Sequence, residues 1–277
     1  ADDGEWQVTD TRIPAEGLIL HYGRVLRGRI RTGQTLTGEV EVARRAAIAR
    51  HHTATHLLQF ALREVVGPAV KQAGSFVSAD RLRFDFNYFQ ALTPDQLSRV
   101  EARVNELIVR NDPVTLRQMA LKDVPGSGII ALFDEKYGEQ VRVVEVGDYS
   151  RELCGGTHVT ATGTLGSFRI LTESSIASGV RRIEGVAGLP AYALAAHERG
   201  LLSQMAARFS VSSDEVPARV DALAGQIRDL EKKVKDLEHR LALGQVDALL
   251  ARRSEVRGIP LVSAAVDDQS GDTLKSL

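Results

Sequence analysis

The chain has 277 residues, 43% of them hydrophobic and 26% charged, which is enough apolar material for two or three packed units and argues against wholesale disorder. Thirty-five Lys and Arg against thirty-six Asp and Glu leave a net charge of -1, so no global basic field marks a nucleic-acid partner and any RNA contact has to be local. A single cysteine excludes an intrachain disulfide, no apolar run reaches the roughly eighteen residues of a membrane span, and the first residues carry no secretory pattern. A cytoplasmic protein with no membrane partner is expected. The chain lacks an initiating Met and stops at Leu277, where a further unit is expected to begin, so it reads as a piece of something longer.

Residues 6–42 alternate apolar and polar side chains between Gly17, Gly23, Gly28, Gly33 and Gly38, the punctuation of short strands in a small barrel or meander. A β-barrel-like subdomain over 1–42 is therefore expected. Arg24, Arg27, Arg29 and Arg31 point mostly outward by parity, either as a solvated strand face or as contacts to an RNA backbone. From Val42 to Val66 the period turns helical, and Gly67-Pro68 stops it.

Val70–Val77 and Leu82–Phe86 read as a half-buried hairpin, with Leu82, Phe84 and Phe86 alternating with Arg83 and Asp85. Thr93-Pro94-Asp95-Gln96 supplies a capping box and a first-turn proline for a helix whose apolar face is Leu97, Val100, Val104, Leu107 and Ile108. Strands at Val114–Met119 and Val141–Val146 flank a short helical stretch near Ile130–Tyr137, and two more strands follow at Phe168–Leu171 and Val180–Val186. The layout is α+β, with strands covered by two main helices over 43–189.

An alanine-rich helix from Pro190 to Phe209 comes next. Val216, Val220, Leu223, Ile227, Leu230, Val234, Leu237 and Leu241 then step by alternating fours and threes, a heptad seam. The short Ser-Val-Ser-Ser-Asp link favours an antiparallel coiled-coil hairpin over 190–256 and leaves a parallel homodimer open. Ile259–Val266 reads as the opening strand of a further domain, 257–277.

Within this frame His52 and His56 share one helical face at i, i+4, and Cys154 and His158 bracket a glycine-bearing loop, Cys-Gly-Gly-Thr-His. Either pair alone is weak evidence; together, three imidazoles and the sole thiol of the chain make a zinc quartet. His51 points about 100° away around the helix and is expected to be exposed or hydrogen-bonded. A zinc protease would carry Glu directly after the first His, and Thr53 stands there. A Cys154 nucleophile is the thinner case, since no orienting carboxylate is evident.

The stretches His-Thr-Ala-Thr-His-Leu-Leu (52–58), Gln-Ala-Gly-Ser (72–75), Leu-Arg-Phe-Asp-Phe (82–86), Ala-Leu-Phe-Asp-Glu-Lys-Tyr-Gly (131–138), Cys-Gly-Gly-Thr-His-Val (154–159) and Gly-Val-Arg-Arg-Ile-Glu (179–184) together resemble the editing region of the bacterial alanyl-tRNA synthetase family, over about residues 6–190. Thr53 where that pattern has Ser, and Ala73 where Lys is common, are mild departures. The resemblance implies hydrolysis of the ester that joins a wrong serine or glycine to the acceptor end of tRNA(Ala); a pocket shaped for alanine cannot exclude glycine and rejects one added hydroxyl only modestly. It further implies that His52, His56, Cys154 and His158 hold zinc, that Gln72 and Cys154 are catalytic, and that Thr55, Gly155, Gly156, Arg181 and Arg182 meet substrate or tRNA, with a plain salt-bridged strand as the alternative for the two arginines. A complete protein of this family would also join alanine to tRNA(Ala) using ATP. A free-standing trans-editing deacylase, the related threonyl-tRNA synthetase editing domain and a non-catalytic, zinc-stabilised tRNA-binding module are the competing readings. Four protein ligands describe a closed zinc, whereas catalysis wants an open position.

Overall fold

In the computed structural model, which describes residues 4–15, 17–131 and 138–263, the chain divides into two compact units, Ala1–Gly188 and Leu189–Leu277. The first begins with β1 (Glu5–Ala15) and β2 (Leu18–Arg27), an antiparallel pair whose turn uses Gly17 at φ +75. Among the described residues these two strands form a sheet of their own and no closed barrel. The alternation across residues 6–42 does form strands, but residues 28–41 add none, and a barrel needs a partner at every edge. Arg24, Arg27, Arg29 and Arg31 are all exposed.

Helix α1 (Val42–Val65) follows and ends where Gly67 takes φ +140. It is enclosed over its second half, because Ala54, Leu57, Leu58, Ala61 and Leu62 are each 0% exposed. Strands β3 (Gln72–Val77) and β4 (Leu82–Asn87) form the expected hairpin, with an irregularity between Gln72 and Gly74. Helix α2 (Pro94–Arg110) starts at a reciprocal capping box: the Gln96 amide donates to Thr93 Oγ1 at 3.1 Å, and the Thr93 amide donates to Gln96 Oε1 at 2.9 Å. It stops at Asn111 in the left-handed region.

Strands β5 (Val114–Ala120), β6 (Gln140–Val146) and β7 (Ser150–Leu153) make an antiparallel three-stranded sheet. The short helix expected near Ile130–Tyr137, and most of the Ala131–Gly138 motif, lie outside the described residues. Strands β8 (Phe168–Ala177) and β9 (Val180–Ala187) complete a four-stranded antiparallel sheet in the order β3-β4-β9-β8. One core unites Leu57, Leu58 and Leu62 of α1, Val100, Val104 and Leu107 of α2, and Phe84, Phe86, Phe168 and Ile183 of the sheet. The α+β expectation therefore holds for this unit: two helices cover a sheet, and α1 keeps its histidine face for the segment that leaves β7.

In the second unit, α3 (Leu189–Phe209) leads through Ser212, whose amide and hydroxyl both contact Glu215, into α4 (Val216–Leu250). Among the described side chains of α4 only Val216, at its first position, is buried. Val220, Ile227, Leu230, Val234, Leu237 and Leu241 are exposed, so α3 does not cover the heptad seam as the hairpin expectation requires. Strands β10 (Ser254–Val256) and β11 (Ile259–Leu261) pair across a turn at Arg257 and Gly258, both at positive φ. No helix among the described residues is long and apolar enough to cross a membrane.

Candidate metal centre

Helix α1 offers His52 and His56 one turn apart, and β7 runs directly into the loop that carries Cys154 and His158. The two meet: one donor atom from each of the four side chains lies within 4.8 Å of all the others. Cys154 Sγ is 3.3 Å from His52 Nε2 and 3.3 Å from His158 Nε2. A tetrahedral zinc, with sulfur at about 2.3 Å and nitrogen at about 2.0–2.1 Å, needs sulfur and nitrogen roughly 3.5 Å apart, so the cluster is already near that spacing. His56 Nε2 is buried without a hydrogen-bond partner. A buried nitrogen left bare beside three other donors is what a metal ligand looks like before its metal is added. Three imidazoles and a thiolate can thus hold a metal ion, and the set is consistent with zinc.

The groups behind the quartet fix which nitrogen faces inward. His56 Nδ1 lies 2.8 Å from Glu152 Oε2, both side chains being buried, and Ser150 Oγ donates to Glu152 Oε1 at 2.9 Å. His158 Nδ1 lies 3.1 Å from Thr53 Oγ1, which also accepts from the Val159 amide at 3.3 Å. Arg142 of β6 donates to the Cys154 carbonyl at 2.9 Å and to the Gly156 carbonyl, which ties the loop to the sheet. Burial pushes the Cys154 thiol up, but hydrogen bonds from His158 and His52 and the charge of the nearby His56 outweigh it and bring the pKa down to about 3. Burial likewise opposes a charged His56, yet the Glu152 carboxylate and the Cys154 sulfur lift it to about 10. His158 is pushed down, chiefly by burial. Both shifts favour a thiolate beside a charged imidazole in the metal-free pocket.

Glu152, Ser150, Arg142 and the part played by Thr53 were not read from the sequence. A carboxylate is present after all, and it serves His56 rather than the thiol. Glu152 sits two residues before Cys154 on an alternating strand, the one cue that pointed its way. Arg142 gives no local cue, because its place beside the loop follows only from the β6–β7 register, in which Val143 pairs with Leu153.

The other candidate residues are distributed as follows. Thr55 is buried in α1 and its hydroxyl donates to the His51 carbonyl at 2.9 Å. His51 is also fully buried, with Nδ1 2.9 Å from the Ser78 carbonyl oxygen, so of its two expected states the hydrogen-bonded one is observed. Gln72 is on β3 opposite Phe86, and its Nε2 donates to Ser75 Oγ at 3.2 Å. Arg181 and Arg182 point to opposite sides of β9, each in a two-pronged ion pair: Arg181 with Glu173 at 2.5 and 2.6 Å, Arg182 with Asp85 at 2.7 and 2.8 Å. The two glycines differ sharply. A Cβ on Gly155 would meet nothing within 4 Å, whereas one on Gly156 would lie 1.8 Å from His52 Cε1. Gly156 is therefore glycine so that the His52 ring can lie against the loop.

Comparison with known proteins places this geometry. Residues 141–184, which include Cys154, His158, Arg181 and Arg182, match the family described as threonyl and alanyl tRNA synthetase second additional domain. Three bacterial proteins named alanine–tRNA ligase are similar over nearly the whole chain. The one from Salinispora tropica is 46% identical over 275 residues, 99% of this chain and 31% of its own length. That from Acidothermus cellulolyticus is 45% identical over 97% of this chain and 30% of its own, and that from Chloroflexus aurantiacus 42% over 99% and 32%. The chain thus spans about a third of the length of the relatives it matches.

Proposed function

Since this chain belongs to the alanyl-tRNA synthetase family, as a segment that carries its editing-type domain, we propose that it hydrolyses the ester linking misattached serine or glycine to the 3′ end of tRNA(Ala). The observation that carries the reading is the convergence of His52, His56, Cys154 and His158 between α1 and the loop after β7, half of it inside the matched stretch. Bound zinc would supply a fixed positive charge for the substrate's polar groups. The chain's own residues supply the rest. Glu152 and Thr53 hold two imidazoles with Nε2 inward, Arg142 fixes the Cys154–Gly156 backbone, and Gln72 orients the aminoacyl group. Gly155, with open space around it, is where the terminal adenosine approaches, Arg181 and Arg182 flank that approach, and Thr55, buried in α1, steadies the helix that carries His52 and His56. Residues 43–189 are the editing region in this reading, with 1–42, 190–256 and 257–277 as flanking parts. The single cysteine, used as a metal thiolate, suits the reducing cytoplasm. The whole protein would join alanine to tRNA(Ala) with ATP, an activity assigned here to its other parts.

The exposed seam of α4 favours a second copy as its partner. Val220, Ile227, Val234 and Leu241 take a positions, and Leu223, Leu230 and Leu237 take d positions, the β-branched-with-leucine arrangement of parallel dimers. Arg219, Lys233 and Arg240 fall at g, and Glu231 and Glu238 at e. In a parallel pair Lys233 of one copy meets Glu238 of the other, whereas an antiparallel pair sets like charges together.

The test is deacylation of seryl-tRNA(Ala) by the 277-residue chain, with and without a chelator, beside its Cys154→Ala form. Metal-dependent release of serine by the intact chain alone supports the reading; no release by any form refutes it.

A further inference from the structure

We infer that the four ligands are not equivalent: His56, Cys154 and His158 form a fixed triad, and His52 is the ligand that yields, opening the centre on the side of Gly156. The inference rests on the metal reading above.

The four donors differ in what stands behind them. An imidazole ligand is oriented by whatever holds its second nitrogen, and removing that partner typically weakens metal binding about 10- to 100-fold. His56 is held by a buried carboxylate at 2.8 Å, itself fixed by Ser150 at 2.9 Å and by the sheet, where Glu152 pairs with Val144 on one side and bridges to Ile130 on the other. His158 is held by Thr53 at 3.1 Å, and the Cys154 backbone by Arg142. His52 has no such partner among the described residues: its only polar contact there is Cys154 Sγ at 3.3 Å. Its ring is half-buried and leans on Gly156, where there is no side chain to grip it. Among the described residues, turning away costs His52 no hydrogen bond outside the quartet, while His56 would have to abandon a buried ion pair.

The consequence addresses the conflict between a closed quartet and hydrolysis. With His52 turned out, three protein ligands and one open position remain, the pattern of catalytic rather than structural zinc. The side that His52 leaves is the one against Gly156, whose backbone carries no side chain to fill the space. Glu152 and Thr53 act here as positioning residues, since each works through a histidine.

The experiment measures metal affinity of the 277-residue chain by competition with a chelator, using zinc, and records the absorption spectrum with cobalt(II) in its place. His56→Ala and Glu152→Ala should each lower affinity, the latter about 10- to 100-fold. Thr53→Val should weaken binding and Thr53→Ser should keep it. His52→Ala should lose less affinity than His56→Ala and retain the thiolate–cobalt band of a four-coordinate site. Thermal unfolding of the metal-free forms identifies any variant that fails to fold, and the Thr53 pair, the mildest change, carries the test if Glu152→Ala is lost that way. Equal losses at His52 and His56, or wild-type affinity in both Glu152→Ala and Thr53→Val, overturn the inference and leave the proposed function standing. A wild-type chain that binds neither ion overturns both.

Discussion

Replacing Gly156 with alanine puts a methyl group 1.8 Å from His52 Cε1 and 2.1 Å from its Nδ1, against the 3.4 Å at which ordinary contact begins. The ring or the loop has to move by about 1.6 Å to relieve the overlap. A metal centre tolerates displacements of about 0.2 Å in its ligand distances, so His52 cannot remain bonded through such a shift. The loop is the less yielding partner, because Arg142 grips both the Cys154 and Gly156 carbonyls, so the ring should turn out. Gly156→Ala is therefore expected to fold, to bind metal in the same stoichiometry with affinity reduced about as much as in His52→Ala, and to lose most deacylation through misplaced substrate. Gly155→Ala is the internal control, since its Cβ meets nothing within 4 Å and its metal affinity should be that of the wild type. Chelator competition and unfolding of all three forms provide the comparison. Gly156→Ala with the same metal affinity as Gly155→Ala would refute the reasoning about the His52 ring.

Three further outcomes are expected. In the metal-free protein Cys154, lowered from 9.0 to about 3, contributes stability that is complete above its ordinary value and disappears as pH falls through about 3; His56, raised from 6.5 to about 10, contributes stability that is complete below its ordinary value and disappears as pH rises through about 10. The ultraviolet absorbance of the thiolate should accordingly persist down to about pH 5, and its disappearance near the ordinary thiol value would contradict the ion pair. Phe84→Ala, at a 0% exposed position of β4 in the core that the four-stranded sheet shares with α1 and α2, should cost about 3–5 kcal/mol in denaturant unfolding, and a loss under about 1 kcal/mol would show that this core is not continuous. Leu230→Glu, at a d position of α4, should shift the chain from dimer to monomer in sedimentation while leaving metal binding unchanged; a wild-type chain that is already monomeric at high concentration removes the parallel dimer.

The parts of the centre that could be read from sequence were those whose relation is local. His52 and His56 share a face through helical period, and Cys154 and His158 share a loop, so only their meeting had to be supplied by the fold. Glu152 and Arg142 act across strands, where facing and register depend on partners far along the chain, and a single Glu or Arg in an alternating stretch looks like any solvated side chain. The same limit explains the N-terminal strands: their alternation was legible, but closure into a barrel is a statement about edges, and 28–41 add no strand to meet them. The heptads of α4 were equally plain, yet spacing says which face is apolar and not what covers it; α3 leaves Ile227, Leu230 and Leu237 exposed. Arg181 and Arg182 showed their charge in the sequence, while Glu173 and Asp85, which pair with them, became partners only through the β8-β9-β4 order.

Hydrolysis of seryl-tRNA(Ala), measured together with zinc content on one preparation of the 277-residue chain, tests the central claim most directly. Serine release that rises with zinc occupancy, is abolished by chelation and is absent in Cys154→Ala is the predicted result. A zinc-loaded, folded chain that leaves the ester intact would contradict it.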